Sequence, residues 1–165
     1  MSLIEIENIN LVYHSQKGET EAIKKLSFSI KEGEFVSIIG PSGCGKSTLL
    51  NLISGLLNPS SGRIIYNDNN IKNRLDKMGY MFQKDYLFEW LTVWENVILG
   101  LKIKKVLTKE NIEKVNNLLI NYGLDKFKDH KPSELSGGMR QRVALIRTLA
   151  LNPKVLLLDL SLIHI

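Results

Sequence analysis

Apolar and polar residues alternate at near two-residue spacing over residues 3–12 and again over 22–30, the pattern of strands with one buried face. Gln16-Lys17-Gly18-Glu19 between them reads as a hairpin loop, so the chain is expected to begin with an antiparallel flank. A short apolar run over 34–39 then leads into a glycine-rich loop. From 46 to 57 the apolar positions 49, 50, 52, 53, 56 and 57 fall at helical spacing. Strand, loop, helix is the expected order. The cluster Asn58-Pro59-Ser60-Ser61-Gly62 closes that helix, and residues 63–66 and 78–82 are expected strands.

Between residues 92 and 122 the period lengthens, and Ile112, Val115, Leu118, Leu119 and Tyr122 share one face at three- and four-residue steps. Thr108, with Glu110 and Asn111 behind it, marks a helix start without a full capping box. A helical insertion over about 92–135 follows from this pattern. After Lys131-Pro132-Ser133 another helix is expected from about 137 to 150, with a stripe of Met139, Val143, Ile146 and Ala150. Asn152-Pro153 stops it, and residues 155–159 read as a buried strand of the parallel type. Strands alternating with helices make the expected fold class α/β, with one domain over 1–159.

Composition narrows this picture modestly. With 44% hydrophobic and 24% charged residues in 165, the chain has the balance of a soluble globular domain, which excludes disorder, collagen and coiled coil. No apolar stretch approaches the roughly 20 residues needed to cross a bilayer, and no secretory signal opens the chain, so a cytoplasmic location is expected. The single cysteine, Cys44, allows no internal disulfide. Twenty-two Lys and Arg against 17 Asp and Glu give a net charge of +5. They are scattered, in no basic block, so a solvated lysine-rich surface is expected and nucleic acid is not expected as a partner.

Candidate chemistry starts at Gly40-Pro41-Ser42-Gly43-Cys44-Gly45-Lys46-Ser47, the phosphate-loop pattern in a strand-to-helix context. Glycines let successive backbone N–H groups curl inward as a nest, and the following helix adds its positive dipole end. Lys46 then reaches the outer phosphates and Ser47 offers an oxygen to magnesium. The competing reading is an ordinary glycine turn. Cys44 contributes its backbone amide, and its side chain is merely tolerated. This motif alone leaves kinases, GTPases, motor ATPases and transporter ATPases open.

The second motif narrows the choice. Leu135-Ser136-Gly137-Gly138-Met139-Arg140-Gln141-Arg142 places a hydroxyl and two glycines at the mouth of a helix, another anion-receptive N-terminus. The alternative is a helix capped by Ser136 with flexible glycines. One ATP has one triphosphate, so two such sites on one chain suggest two copies that share their nucleotides.

At this point the chain resembles the ATP-binding cassette (ABC) family over residues 3–159. The resemblance rests on GPSGCGKS, on Tyr80-Met81-Phe82-Gln83 as the glutamine loop, on LSGGMRQR, and on Val155-Leu156-Leu157-Leu158-Asp159 as the magnesium-site strand. It implies a P-loop ATPase core with a parallel sheet, an antiparallel flank and a helical insertion, incomplete at the C-terminus. It further implies ATP and Mg2+ as cofactors. Tyr13 would stack on adenine, the loop residues Gly40 through Thr48, Lys46 among them, would hold the phosphates, and Ser47, Gln83 and Asp159 would organise the metal. Lys46, Gln83 and Asp159 carry the implied catalytic roles, and Ser136, Gly137 and Gly138 would touch the outer phosphate across a dimer. A half-buried edge tyrosine and a surface glutamine are the competing readings of Tyr13 and Gln83. Asp159, an acid after four apolar residues, would be costly to bury without a cation or donors.

The implied partners are transmembrane permeases docking near residues 83–96, a second copy of the chain, and indirectly an extracytoplasmic solute-binding protein. The implied place is the inner face of the cell membrane. Residues 87–97 and 137–143 look most like importers of nitrate, sulfonates or taurine, although Glu89 stands where that group usually has proline. The family's water-polarising glutamate should follow Asp159, but the residue is Leu160. The string Leu-Ser-Leu-Ile-His-Ile over 160–165 matches the translation of a transposase adaptor and is expected to be a non-native tail on a truncated reading frame. Two other classes stay open at this point: a soluble cassette ATPase of DNA repair or translation, and a nucleotide-binding fragment that does not hydrolyse.

Overall fold

The computed structural model describes residues 2–15, 18–66 and 78–160, so Gln16 and Lys17 of the expected hairpin loop and residues 161–165 of the expected tail lie outside the described residues. The chain divides into two compact units, Met1–Asp76 and Lys77–Ile165.

In the first unit β1 (Ser2–Ser15), β2 (Gly18–Lys31) and β3 (Ser61–Tyr66) form an antiparallel sheet in the order β2-β1-β3. Ile4, Ile6, Ile9 and Leu11 of β1 are all buried, although the step from 6 to 9 breaks strict alternation. A register shift between Ile6 and Ile9 resolves this: Asn8 takes φ 46° and donates its N–H to Ser27 Oγ at 2.8 Å. The bulge restores the face, because one extra residue flips every later side chain back to the core side. Helix α1 (Lys46–Ser54) buries Leu49, Leu50, Leu52 and Ile53 and ends at Gly55, whose φ of 81° caps it before the expected end at 57. The Tyr66 hydroxyl donates to the Ile53 carbonyl and ties β3 to α1.

One expected element is not formed. Residues 34–39 are irregular, with Phe35 90% and Ile39 82% exposed. A strand needs a ladder, and among the described residues no strand registers against this segment. Its apolar sequence is therefore that of a strand, but its backbone lacks the hydrogen-bonding neighbour that would make it one.

In the second unit β4 (Met78–Met81) and β5 (Val155–Leu158) pair in parallel, with Met81 opposite Leu158. Helices α2 (Val93–Ile103), α3 (Lys109–Asn121) and α4 (Gly137–Leu149) surround a core that includes Val93, Val97, Leu101, Val115, Leu119, Val143 and Ile146. The helical stretch expected over 92–122 is thus two helices. Thr92 opens the first with a full capping box to Glu95, and Thr108 opens the second by accepting from the Asn111 N–H. β5 is less enclosed than its sequence suggests: Leu157 is buried while Leu156 is 38% exposed. Among the described residues it has a single ladder neighbour, β4.

Candidate functional site

The phosphate loop lies in the first unit and is made of backbone. Gly43 (φ 78°) and Gly45 (φ 94°) hold left-handed conformations that side chains disfavour, and a Cβ on Gly45 would meet the Ala22 carbonyl oxygen at 2.8 Å. Gly45 is also the N-cap of α1, where no side chain caps the helix and no acid stands in the first turn. The first-turn amides are thus left to an anion, with the helix dipole behind them. Lys46 folds back over the loop, its Nζ donating to the Gly40 and Pro41 carbonyls at 2.7 Å each and lying 3.6 Å from Cys44 Sγ. An incoming phosphate would exchange these neutral acceptors for charge-assisted ones. Ser47 is exposed on the first turn. Beside the loop a cavity of about 540 Å³ is lined mainly by Ile23, Leu26, Val36, Ile39 and Leu49, an apolar wall suited to packing and unsuited to phosphate. Tyr13 is 44% exposed near the end of β1, opposite Thr20.

The other sequence-derived candidates lie in the second unit. Asp159 follows β5 directly and its N–H donates to the Met81 carbonyl at 2.9 Å, so Asp159 and Gln83 sit at the carboxyl ends of neighbouring parallel strands. That edge is where open α/β sheets receive ligands. Burial, with a smaller contribution from the Asp159 carboxylate, pushes the Tyr80 hydroxyl up to about 12, which keeps it neutral beside that edge. Ser136 caps α4 by accepting from the Met139 N–H at 3.3 Å, and nothing stands within 4 Å of where a Cβ on Gly137 or Gly138 would be. Backbone at that helix mouth is open to close approach. A hydroxyl at Ser47 and a carboxylate at Asp159 are hard oxygen donors of the kind magnesium takes together with phosphate oxygens and water. Among the described residues no three His, Cys, Asp or Glu side chains gather into a metal cluster.

Several residues that sequence reasoning did not single out join the glutamine loop to the signature helix. Arg140 forks onto Asp85 (Nε to Oδ2 2.9 Å, Nη2 to Oδ1 3.1 Å) and reaches Glu89 Oε1 at 2.6 Å. Arg147 donates to the Asp85 and Tyr86 carbonyls at 2.6 and 2.8 Å, and Gln141 Nε2 to the Gln83 carbonyl at 3.2 Å. The Arg140 hydrogen bond holds the Asp85 carboxyl below its ordinary range, against the opposing effect of burial, while Asp85 and Glu89 raise the Arg140 guanidinium. Burial lowers the Arg147 guanidinium. Periodicity carried no signal for these pairs, whose partners stand 51 to 62 positions apart. From the other side of the loop the fully buried Asn96 accepts from the Phe88 N–H at 2.8 Å and donates to the Thr92 carbonyl at 2.9 Å.

The ABC transporter family profile matches residues 23–160, and the chain belongs to this family. It is 46% identical over 159 residues, 96% of its length, to an uncharacterised ABC transporter ATP-binding protein of Bacillus subtilis, of which it covers 61%. It is 45% identical over 160 residues, again 96% of its length, to a taurine import ATP-binding protein of Pelagibacter ubique, of which it covers 60%. The chain thus spans about 60% of the length of these curated relatives. Among solved structures, it superposes with a TM-score of 0.80 at 39% identity on the ATP-binding cassette MJ0796, solved as a dimer in a post-hydrolysis state with ADP and phosphate. That match covers 94% of this chain and 73% of the other. The fold is therefore that of an ABC ATPase domain, with the antiparallel flank and helical region that the sequence suggested.

Proposed function

We propose that this chain is the nucleotide-binding part of the ATPase subunit of an importer, energising uptake of a small solute such as nitrate, a sulfonate or taurine. The observation that carries the reading is the phosphate loop, an uncapped helix N-terminus with two left-handed glycines and a lysine turned back onto the Gly40 and Pro41 carbonyls and Cys44 Sγ. The name of the Pelagibacter ubique relative, a taurine import ATP-binding protein, supports the solute class.

In this proposal Lys46 and the loop amides bind the phosphates of ATP, Tyr13 stacks on the base, and Ser47, Gln83 and Asp159 hold magnesium. The metal supplies charge neutralisation on the phosphates. Ser136, Gly137 and Gly138 complete the site of a second copy, as supported by the dimer in the cassette neighbour. Among the described residues no helix is long and apolar enough to cross a membrane, so permease partners would provide the pathway, with this chain against the inner face. Their dock would be the aromatic groove of about 650 Å³ lined by Tyr80, Phe82, Tyr86, Phe88, Ile103 and Leu151. A solute-binding protein would act on the far side of those permeases.

The test is a MgATP titration of the purified chain and of Lys46→Ala. Losing a charge-assisted contact of about 1.5 to 3 kcal/mol should weaken binding roughly 10- to 150-fold with the fold intact. Equal affinities in the two proteins overturn the assignment.

A further inference from the structure

On one side the loop that carries Gln83 is gripped by α4. Side chains at 140, 141 and 147 of α4 reach four loop residues: Gln83, Asp85, Tyr86 and Glu89. Arg140 and Arg147 stand seven residues apart, about two turns of the α-helix, on one face, and both reach the loop. The Arg140 and Asp85 side chains are only 23% and 19% exposed, which shields their fork from solvent. Asp85 is further shaped by the Leu87 N–H, donated to its Oδ1 at 3.1 Å. Gln141 Oε1 is buried and has no partner, so its amide is kept in place by the bond to the Gln83 carbonyl and by packing.

From this geometry we propose that Arg140 is a positioning residue that fastens the Gln83 loop to the helix headed by Ser136, so that both nucleotide-facing groups of this unit move as one body. The inference rests on the reading of Gln83 and Ser136 as nucleotide-facing. Its physical core is the planar fork of the guanidinium, which satisfies two oxygens of Asp85 and one of Glu89 together. Without it, two carboxylates that converge on one point are left facing each other. The same loop contributes Phe82, Tyr86 and Phe88 to the aromatic groove, so the fastening also fixes one wall of that groove.

The test uses the whole chain in two measurements. Amide hydrogen exchange in Arg140→Gln should speed by about tenfold or more over residues 84–91, with the amides of α2 unchanged. Arg140→Lys, which keeps the charge and loses the fork, should fall between parent and Gln variant. Loop amides that exchange no faster than in the parent overturn the fastening. The second readout is Trp90, which is 70% exposed, follows Glu89 and lies edge-on to Phe88 at 5.1 Å. In a Trp94→Phe background, MgATP should change Trp90 emission, and Arg140→Gln should lose at least about half of that change while its ATP affinity stays within about twofold. A full Trp90 response in Arg140→Gln, or none in a parent that binds ATP, overturns the coupling of nucleotide to the loop. Absence of ATP binding by the parent overturns the proposed function instead, and the exchange result alone then decides the fastening.

Discussion

The two anion-receptive helix ends of this chain are built by opposite means. At Gly45 the cap is glycine in a left-handed conformation with no capping side chain, and Lys46 beside it is tied to backbone carbonyls. At Ser136 the helix is capped by a hydroxyl, and its following turns are locked by arginine and glutamine side chains to a loop more than 50 positions earlier. The first end is conformation waiting for charge. The second is charge already spent on holding a loop. This difference teaches which part of the molecule a ligand can remodel cheaply: on the proposed reading a phosphate would draw Lys46 from neutral carbonyls, whereas moving the Gln83 loop means opening a fork between ions.

The largest expected effect tests the chemistry beyond both ends. Leu160 offers no carboxylate after Asp159, and a positioned general base typically contributes about 10² to 10⁴ in rate. The chain should therefore bind MgATP yet turn it over slower by about that factor than relatives with a carboxylate there. Phosphate release at a rate typical of such relatives would sink this expectation.

The backbone nature of the first site is sharpened by comparing two glycines. Gly43→Ala meets open space and carries only the left-handed penalty of about 1 to 2 kcal/mol, whereas Gly45→Ala adds a 2.8 Å encounter with the Ala22 carbonyl. Denaturant midpoints should fall for both and further for Gly45→Ala. Equal losses would mean that the loop yields at Ala22 and is softer than its geometry implies.

What the sequence made legible divides along the same line. The GPSGCGKS loop was readable because its function is written in residue types at fixed spacing, and the helices over 93–103 and 109–121 were readable from apolar period and the Thr108 cap. The strand expected at 34–39 failed for a non-local reason, since apolar alternation states what a segment could pair as and not whether a neighbour is there. The Arg140, Asp85 and Glu89 cluster was not legible, because charges that meet across 50 residues leave no period behind. Glu89 alone gave a hint, as a residue out of place for the importer group that the chain resembles.

That cluster gives the next prediction, a pH dependence. Asp85 titrates below its ordinary value in the folded chain because Arg140 donates to it, so its stabilisation is complete above the usual aspartate range near pH 4. It is lost as the pH falls below that range and through the folded value. Asp85→Asn should thus cost about 1.5 to 3 kcal/mol at neutral pH, the worth of a hydrogen bond to a charged group, and the cost should shrink toward zero in acid. Unfolding midpoints of parent and variant from pH 7 downward measure it. A gap independent of pH would mean that packing, and not the ion pair, holds the loop.

The smallest effect concerns the cap at Ser136, and a second cap in the same unit calibrates it. Thr92 and Glu95 satisfy two first-turn donors of α2 reciprocally, while at Ser136 the third residue on is Met139, which has nothing to return. One donor is met there, and on the proposed reading the Gly137 and Gly138 amides would serve an anion. Ser136→Ala should accordingly cost about 0.5 to 2 kcal/mol, near the low end, and Ser136→Gly only a few tenths. Ser136→Asp should match the parent or exceed it, because a carboxylate also caps and sits at the positive end of the helix dipole. Thr92→Ala should cost more than Ser136→Ala, since it also strands the Glu95 arm of the box. If the order of the two alanine variants were reversed in urea midpoints at constant slope, Ser136 would be a structural keystone of this unit and the helix mouth would be closed to phosphate.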